Sequence, residues 1–329
     1  MNPSLPAAAI GLEAGEASAV LLERRRSLFT IKRAATISLP RELLKPSFEE
    51  TNISDMNELA EALAQLVASA GLQRQKRWSV ALPGASTRSS IVTLEGAPAS
   101  RSELDEVLRW KMERVFGHPV EELRIAHDRL DPDAQGRARY MAVAARLSVR
   151  AEDETVFAAL GWRAGLIMPR HVAEMQWLGK PRSAWRGDSL LVSSHSEGFT
   201  AVIVRGTQPL AVRAIICEPE DRDDELYRLL LFYRDRLAAP PEALEAHSIE
   251  RLLAVGEGIK TDQIGDVVND TLGVRLASMD ATEVGLALPS TDLDFDIIAA
   301  PAGLATMAWR STPTAASILK LLTLSHRKT

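Results

Sequence analysis

The sequence has very little cysteine: Cys217 is the one cysteine among its 329 residues. A single cysteine excludes an intrachain disulfide framework and a cysteine-rich metal site, and it is typical of proteins from a reducing compartment. The chain also lacks an excess of positive charge, because 39 basic and 44 acidic residues give a net charge of −5. Without a basic surface, nucleic acid is not an expected partner.

Long hydrophobic runs are missing as well. Charge or proline interrupts every apolar stretch well short of the ~20 residues that a bilayer-spanning helix needs. The first six residues, Met-Asn-Pro-Ser-Leu-Pro, lack the basic region and apolar core of a secretory signal. We therefore expect a soluble cytoplasmic protein.

Two similar halves are predicted along the chain. A hydrophobic fraction of 46% is ordinary for globular proteins, and the length suffices for two domains of ~150 residues each. Strand-like runs at 8–12, 18–22 and 28–39 predict a β-meander, followed by a helix that Ser54 or Asp55 caps. Runs at 189–192, 200–204 and 210–216 predict a second meander, followed by a helix over 225–237. This repetition indicates an internal duplication, with residues 180–187 as the junction.

The clearest helix signal begins at Ser102, where Asp105 completes a predicted capping box. Apolar residues recur at helical spacing through Leu108 and Met112, and Gly117 and Pro119 end the pattern. Later patterns predict helices over 153–160, over 172–178 and from 258 to about 272, strands over 164–168 and 252–255, and a short strand over 274–276.

Several phrases of the sequence resemble the actin-like family of PilM, a cytoplasmic component of type IV pilus assembly with relatives in type II secretion. Residues 10–18, Ile-Gly-Leu-Glu-Ala-Gly-Glu-Ala-Ser, look like the family's first phosphate loop. Residues 80–84, 102–115 and 119–128 resemble an extra subdomain that the family shares with the division protein FtsA. The likeness continues through 160–162, 198–215, 225–237 and 249–258, and so spans nearly the whole chain.

The resemblance implies an α/β, actin-like (ribonuclease H-like) fold with two lobes. The first lobe is expected over 1–180, with the inserted FtsA/PilM-type subdomain at about 78–146, and the second over 187–305. The second lobe is expected to be reduced. In the family a further subdomain lies between the strand that ends near residue 215 and the helix over 225–237, whereas here residues 218–224 connect the two directly. Residues 306–329 form a tail, in which 318–328 predict a terminal helix docked on its own domain.

The resemblance assigns nucleotide contacts to five residues: Glu13, Gly15, Ser18, Gly256 and Gly258. An actin-like ATPase needs backbone amides around the phosphates and an acidic group that positions Mg²⁺. Here Glu13 replaces an aspartate, and Glu16 adds a carboxylate that would face phosphate without a compensating cation. The second loop reads Ser-Ser-His-Ser-Glu at 193–197 and has lost its aspartate and first glycine. We interpret the loops as vestigial turns and expect no cofactor; ATP with Mg²⁺ is the alternative if they remain competent.

No other catalytic or metal-binding pattern is evident. The six histidines lack close metal-ligand spacing and are expected to be isolated at surfaces or helix ends. Asp292, Asp294 and Asp296 lack the glycine and glutamate of a calcium loop and predict a helix start near Ile297. The serines around His195 form no nucleophile elbow. We therefore expect no metal site and no catalytic residues.

The function that the resemblance implies is that of an adaptor. It would bind the cytoplasmic tail of a PilN-like inner-membrane protein, contact other pilus or secretion platform proteins, and lie at the inner membrane only through these partners. The family's groove implicates Val80, Leu82, Leu108, Trp110 and Met112. Trp110 lies off the apolar stripe and is either an exposed anchor or a buried satellite contact. The alternatives are an active or polymerising actin-like ATPase and a kinase of the sugar-kinase class, which the missing aspartates and subdomain disfavour.

Overall fold

The computed structural model of the chain describes residues 5–26, 28–96, 98–179, 187–238, 248–289 and 293–309. The strands found there are β1 (Ala8–Glu13), β2 (Glu16–Arg25), β3 (Leu28–Ser38), β4 (Arg77–Leu82), β5 (Arg88–Thr93), β6 (Leu123–Leu130), β7 (Arg139–Arg146), β8 (Arg163–Pro169), β9 (Asp188–His195), β10 (Gly198–Arg205), β11 (Gln208–Ile216), β12 (Ile249–Gly256) and β13 (Leu286–Ala287). The α-helices are α1 (Met56–Ser69), α2 (Arg101–Phe116), α3 (Leu147–Ala159), α4 (Arg170–Glu174), α5 (Arg222–Arg236), α6 (Thr261–Leu272) and α7 (Phe295–Thr306).

The first large sheet has six strands in the order β13-β3-β2-β1-β4-β8. β1, β2 and β3 form the predicted antiparallel meander, and β4 and β8 continue it in parallel with β1. Helices α1 and α3 pack together beside this sheet. Asp55 caps α1, since its carboxylate accepts from the backbone N–H groups of Asn57 at 2.8 Å and Glu58 at 3.0 Å. The predicted meander and cap are confirmed.

The second large sheet repeats this pattern in the order β11-β10-β9-β12. β9 pairs antiparallel with β10 and parallel with β12, as β1 does with β2 and β4. Alternate side chains of the strands face opposite ways. Leu190 and Val192 pack in one core with α5 and α6, whereas Leu191 joins the core shared with the first sheet. The second meander is confirmed, and the matching topologies support an internal duplication.

Two helices, α4 and α7, lie between the large sheets and contact strands of both. They approach closely because Gly303 has no side chain: a Cβ added there would overlap the carbonyl oxygen of Ala173. The indole Nε1 of Trp177 also donates to the carbonyl of Ala299 at 2.8 Å. The core therefore runs without interruption from the first large sheet to the second. The first and second lobes are these two sheets with the elements packed on them.

The third sheet, β5-β7-β6, is antiparallel and carries α2 on one face. The helix begins earlier than predicted, because Ser100 and not Ser102 is its N-cap: the Ser100 hydroxyl accepts from the N–H of Glu103 at 3.1 Å. The Glu103 carboxylate in turn accepts from the N–H of Ala99 at 2.6 Å. The predicted end at Gly117 is confirmed, with a left-handed φ of 74°.

Other boundaries differ from the sequence prediction. The helix predicted at 153–160 begins at Leu147, and the strand predicted at 274–276 is wrong: Ser278 instead makes an isolated bridge to Leu252. β13, only two residues long, was not predicted. The predicted subdomain range of about 78–146 includes β4, which pairs inside the six-stranded sheet, whereas the separate sheet begins at Arg88.

The division into 1–180, 187–305 and 306–329 stays a prediction. Residues 180–186, which make up most of the predicted junction, lie outside the described residues, as does the predicted terminal helix at 318–328. In the part of the chain that is described, no helix combines the length and apolar character needed to cross a membrane.

Candidate functional site

The predicted first phosphate loop is the turn between β1 and β2. Glu13 and Glu16 face each other across it, and Gly15 adopts a φ of 77° that suits glycine. The hydroxyl of Ser18 is buried and donates to the carbonyl of Ile297 at 3.4 Å, near the start of α7. A Cβ at Gly11 would lie 2.8 Å from the same hydroxyl oxygen. Ser18 thus serves the packing of β2 against α7.

A buried ion cluster lies directly behind this turn. Arg170, the first residue of α4, places its Nε 2.6 Å from Glu174 Oε1 and its Nη1 3.6 Å from Glu13 Oε2. The same guanidinium donates to the carbonyl of Asp296, and Ser193 of β9 hydrogen-bonds the Glu174 side chain. We call Glu13, Arg170 and Glu174 the interlobe ion cluster, because its contacts reach β1, α4, α7 and β9.

Burial governs the protonation of the interlobe ion cluster. It raises the pKa of Glu13 from 4.5 to about 7, against the attraction of Arg170, and Glu257 and Glu174 push in the same direction as burial. Burial also raises the pKa of Glu174, against Arg170 and the Ser193 hydrogen bond. For Arg170, attraction from Glu174 and Glu13 outweighs the opposing effect of burial and raises its pKa. The sequence analysis expected no cation near the Glu16 carboxylate. Arg170 is such a cation: burial raises the pKa of Glu16, and the positive charge of Arg170 opposes this rise.

The predicted second loop, at the turn between β9 and β10, is held by the chain's own side chains. Arg222 donates to the Ser194 hydroxyl at 3.1 Å and to the carbonyl of His195 at 2.8 Å. The Ser194 hydroxyl donates to the carbonyl of Glu257 at 2.6 Å. The ring of His195 is buried against Gly84, where an added Cβ would lie 2.9 Å from Cδ2. These groups bind one another and form a closed junction.

Two histidines are buried. His171 is at a helix end, as expected, whereas His195 lies at the end of β9 and corrects the expectation of a surface or helix-end position. Burial lowers the pKa of His195 to about 4, with added repulsion from Arg222 and other arginines. Burial also lowers the pKa of His171, at the start of α4, to about 3, and its Nε2 lies 2.8 Å from the Ser89 hydroxyl. Both rings are therefore neutral at pH 7. His247 and His326 lie outside the described residues.

The third glycine turn follows β12. Gly256 has a φ of 109°, and a Cβ there would overlap the carbonyl oxygen of Ser194 on the neighbouring strand. Gly258 has a φ of 63° and lines a cavity of about 90 Å³ beside Arg222 and Lys260. That volume is well below the ~300–1,000 Å³ of typical small-molecule sites. Backbone geometry alone accounts for both glycines.

Asp294 has a structural role at the start of α7, where its carboxylate accepts from the N–H of Asp296 at 2.9 Å. The predicted helix is present, but it begins at Phe295, two residues before the predicted start at Ile297. Within the described residues, no group of three or more histidine, cysteine, aspartate or glutamate side chains is arranged to hold a metal ion.

The predicted partner residues separate into two places. Val80 and Leu82 lie in β4, between β1 and β8, with only 1% and 3% of their surface exposed. The structure corrects the prediction for this pair, because neither side chain presents a surface to a partner. Leu108 and Met112 are core residues of α2 that also line a groove, whereas Trp110 on the same helix is 55% exposed.

The groove beside α2 has a volume of about 420 Å³ and is defined here as the α2–β6 groove. Its walls are α2 and β6, which is an edge strand of the third sheet. Its floor includes Leu108, Met112 and Ile125, and its rim carries charged side chains such as Arg109, which pairs with Glu121 at 2.7 Å. Edge strands offer unpaired backbone groups to an added segment.

Solved structures with the same arrangement of elements include a chain of a "PilM-PilN type IV pilus biogenesis complex". It is 19% identical, the match covers 94% of this chain and 100% of that chain, and the TM-score is 0.74. The chain has the actin-like ATPase fold. The actin-like α/β architecture predicted from the sequence is therefore confirmed.

Weaker structural matches exist as well. A Bacteroides thetaiotaomicron protein of unknown function with this fold is 10% identical, covers 91% of this chain and 95% of its own, and has a TM-score of 0.49. The cytoplasmic domain of EpsL, an inner-membrane component of the Vibrio cholerae type II secretion system, is 11% identical, covers 92% and 93%, and has a TM-score of 0.45. No family model and no curated protein sequence matches the chain.

Within this actin-like fold, the three predicted loops do converge between the lobes. Glu13 of the first loop and Glu257 of the third interact electrostatically, and Ser194 of the second contacts Glu257 directly. Sequence reasoning missed Arg170 and Arg222, which fill the junction. A signal for Arg170 was present: an arginine directly after a buried strand and four residues before Glu174 places two opposite charges on one helical face.

Proposed function

We propose that this chain is an actin-fold adaptor of a type IV pilus or related secretion apparatus that binds the cytoplasmic tail of a PilN-like inner-membrane protein. The observation that carries the proposal is the likeness to a chain of the PilM-PilN complex along that chain's entire length. The third sheet and α2 are part of the fold that the two chains share, because the match covers 94% of this chain. The proposal therefore rests on the whole molecule and not on a single motif.

We further propose that the adaptor does not hydrolyse ATP. The acidic group that the resemblance assigns to the first loop, Glu13, is buried and paired with Arg170, and Ser18 is committed to a backbone contact. An actin-like ATPase would need these groups free for Mg²⁺ and phosphate. The interlobe ion cluster therefore supports a scaffold whose lobes are joined by its own side chains.

The tail would lie in the α2–β6 groove. An extended segment that pairs with the edge of β6 gains main-chain hydrogen bonds, and the half-buried Ile125 offers it an apolar contact above the buried side chains of Leu108 and Met112. Trp110 follows the groove residue Arg109 in the sequence of α2 and lines a separate depression, where the guanidinium carbon of Arg114 is 5.3 Å from its ring centre. Exposed tryptophan is a frequent anchor of peptide interfaces.

The test is binding of a fluorescent peptide that carries the cytoplasmic tail of the PilN-like protein from the same organism. The variant Arg109→Ala/Trp110→Ala removes a paired arginine and an exposed aromatic residue from α2. Tyr227→Ala/Arg228→Ala is the matched control, because α5 also carries an exposed aromatic residue next to an arginine, and Arg228 is likewise paired, with Glu225. We expect at least about tenfold weaker binding for the first variant only. Equal affinities for both variants would contradict the groove assignment.

Thermal unfolding with millimolar Mg-ATP tests the second part of the proposal. A ligand that binds only the folded state raises the melting temperature in a saturable way. We expect no shift. A saturable rise, together with phosphate release from purified protein, would instead establish the alternative of a nucleotide-binding ATPase.

A further inference from the structure

A cleft of about 660 Å³ separates the third sheet from the second lobe, on a different side of the third sheet from the α2–β6 groove. It forms where two edge strands, β5 and β11, lie against each other without joining into one sheet. Arg139, the first residue of β7, donates to the carbonyl of Leu210 in β11 at 2.8 Å. The N–H of Asp131 donates to the Gln208 side chain at 2.6 Å, so both lobes contribute fixed walls.

More arginines than acidic residues line the cleft, in a protein whose net charge is −5. Five arginines line it against two aspartates: Arg137, Arg139, Arg205, Arg213 and Arg236 against Asp131 and Asp133. Arg137 is bound to Asp133 and Arg205 to Asp188, at 2.7 and 2.8 Å.

Two of these arginines are available to a ligand. Arg213 and Arg236 are exposed, and the ion pairs found among the described residues include neither of them. They project from β11 and α5, on the second-lobe side of the cleft. An excess of unneutralised guanidinium groups attracts carboxylates and fixes their orientation through paired hydrogen bonds.

Apolar surface accompanies the arginines. Phe232 is 39% exposed, lines the cleft and lies under Arg213, whose guanidinium carbon is 5.5 Å from the ring centre. Leu210, Ile91 and Leu237 add aliphatic walls. Two edge strands supply unpaired backbone groups of the kind that capture an extended segment. A single inorganic anion would leave most of this volume and all of the apolar wall unused.

We propose that this cleft binds an extended acidic segment of a partner protein, with carboxylates on Arg213 and Arg236 and an apolar side chain against Phe232. The segment would bridge the third sheet and the second lobe. This is a second interaction site in addition to the tail-binding groove of the proposed function, and it does not depend on that proposal. The acidic character of the chain as a whole disfavours nucleic acid as the occupant.

The probe for the test is a fluorescein-labelled octapeptide of alternating glutamate and leucine, measured by fluorescence anisotropy with the full chain. We expect saturable binding that weakens as salt is raised, because exposed charges are screened. The variant Arg213→Glu/Arg236→Glu should bind at least about tenfold more weakly. Arg41→Glu/Arg74→Glu makes the same charge change at two exposed positions elsewhere and should bind like the wild type.

Hydrogen exchange then locates the bound peptide. Slower exchange of the β5 and β11 amides on binding is expected, and Arg109→Ala/Trp110→Ala should leave octapeptide affinity unchanged, which separates this site from the α2–β6 groove. The proposal is overturned by an absence of saturable binding to the wild type, by equal losses in the two charge-reversed variants, or by protection confined to other elements. Tighter binding of a single-stranded RNA octamer would overturn it in favour of a nucleic-acid site.

Discussion

Replacing Glu13 with glutamine tests whether burial dominates the interlobe ion cluster. The Glu13 carboxylate is only 2% exposed, and burial raises its pKa from 4.5 to about 7 despite the attraction of Arg170. Between these two values the folded chain holds a proton that the unfolded chain has released. The stability that this proton provides is full below pH 4.5 and is lost as pH rises through 7.

The size of the effect follows from the same two values. A difference of one pKa unit corresponds to 1.36 kcal/mol, and integration between pH 5 and pH 8 gives a loss of about 2.5 kcal/mol for the wild type. Glutamine stays neutral, so Glu13→Gln should escape this loss. Relative to the wild type, the variant should therefore gain about 2.5 kcal/mol in free energy of unfolding on going from pH 5 to pH 8.

Urea unfolding at pH 5, 6, 7 and 8, followed by circular dichroism, measures this difference. Asp153, whose pKa burial raises to about 7, titrates in the same range, but it lies outside the interlobe ion cluster and is present in both proteins, so its contribution cancels in the comparison. Glu197→Gln, at an exposed position in the β9–β10 turn, is the control and should follow the wild type. A Glu13→Gln protein that loses stability relative to the wild type at pH 8 would refute the reasoning, since the attraction of Arg170 would then exceed the penalty of burial.

Two other substitutions test the second lobe by urea unfolding. Gly256→Ala should destabilise the fold by about 2–4 kcal/mol, because its Cβ would overlap the Ser194 carbonyl oxygen at a positive φ. The control is Gly136→Ala, which also has a positive φ but open space around it, and which should lose only about 1 kcal/mol. Equal losses for the two variants would contradict the steric argument. Tyr233→Phe should lose about 1–3 kcal/mol, because its hydroxyl donates at 2.9 Å to the fully buried Asp188 carboxylate; an unchanged free energy of unfolding would show that Asp188 does not need this donor.

The parts of the fold that sequence reasoning predicted are those with local signals. The first hairpin has a glycine at the one position with a positive φ, and α2 ends where Gly117 adopts a left-handed conformation. Strand-like runs separated by short turns were enough to predict both meanders. The displaced start of α2 has a local cause too: Ser100 and Ser102 are both serines with an acidic residue three positions later, and the pattern does not distinguish them.

The burial of Val80 and Leu82 was also visible in the sequence. Parallel strands covered on both faces read as nearly continuous apolar runs, and residues 78–82 read Trp-Ser-Val-Ala-Leu. The family resemblance drew attention to this segment as a groove wall, whereas its composition indicates a central strand. For Val80 and Leu82 the apolar pattern predicted the observed burial, and the family resemblance did not.

The candidate site was less predictable because its contacts are long-range. Arg170 reaches a carbonyl 126 residues further along the chain, and Ser194 reaches one 63 residues away. No periodicity or motif within either segment specifies such a partner. The sequence could show that the phosphate loops had lost their usual residues, but not that two arginines fill the junction.

The filled junction also bears on how tightly a nucleotide could bind. A phosphate that paired with Arg170 in place of Glu174 would leave the Glu174 carboxylate buried without its partner, and breaking a buried ion pair in this way costs about 3–5 kcal/mol. A dissociation constant of 1 µM corresponds to about 8 kcal/mol of binding free energy. The remaining contacts would thus need to supply about 11–13 kcal/mol, comparable to nanomolar binding. A short peptide on an open edge strand faces no such penalty, and for this reason the proposed adaptor role agrees better with the energetics of the interlobe ion cluster than ATP hydrolysis does.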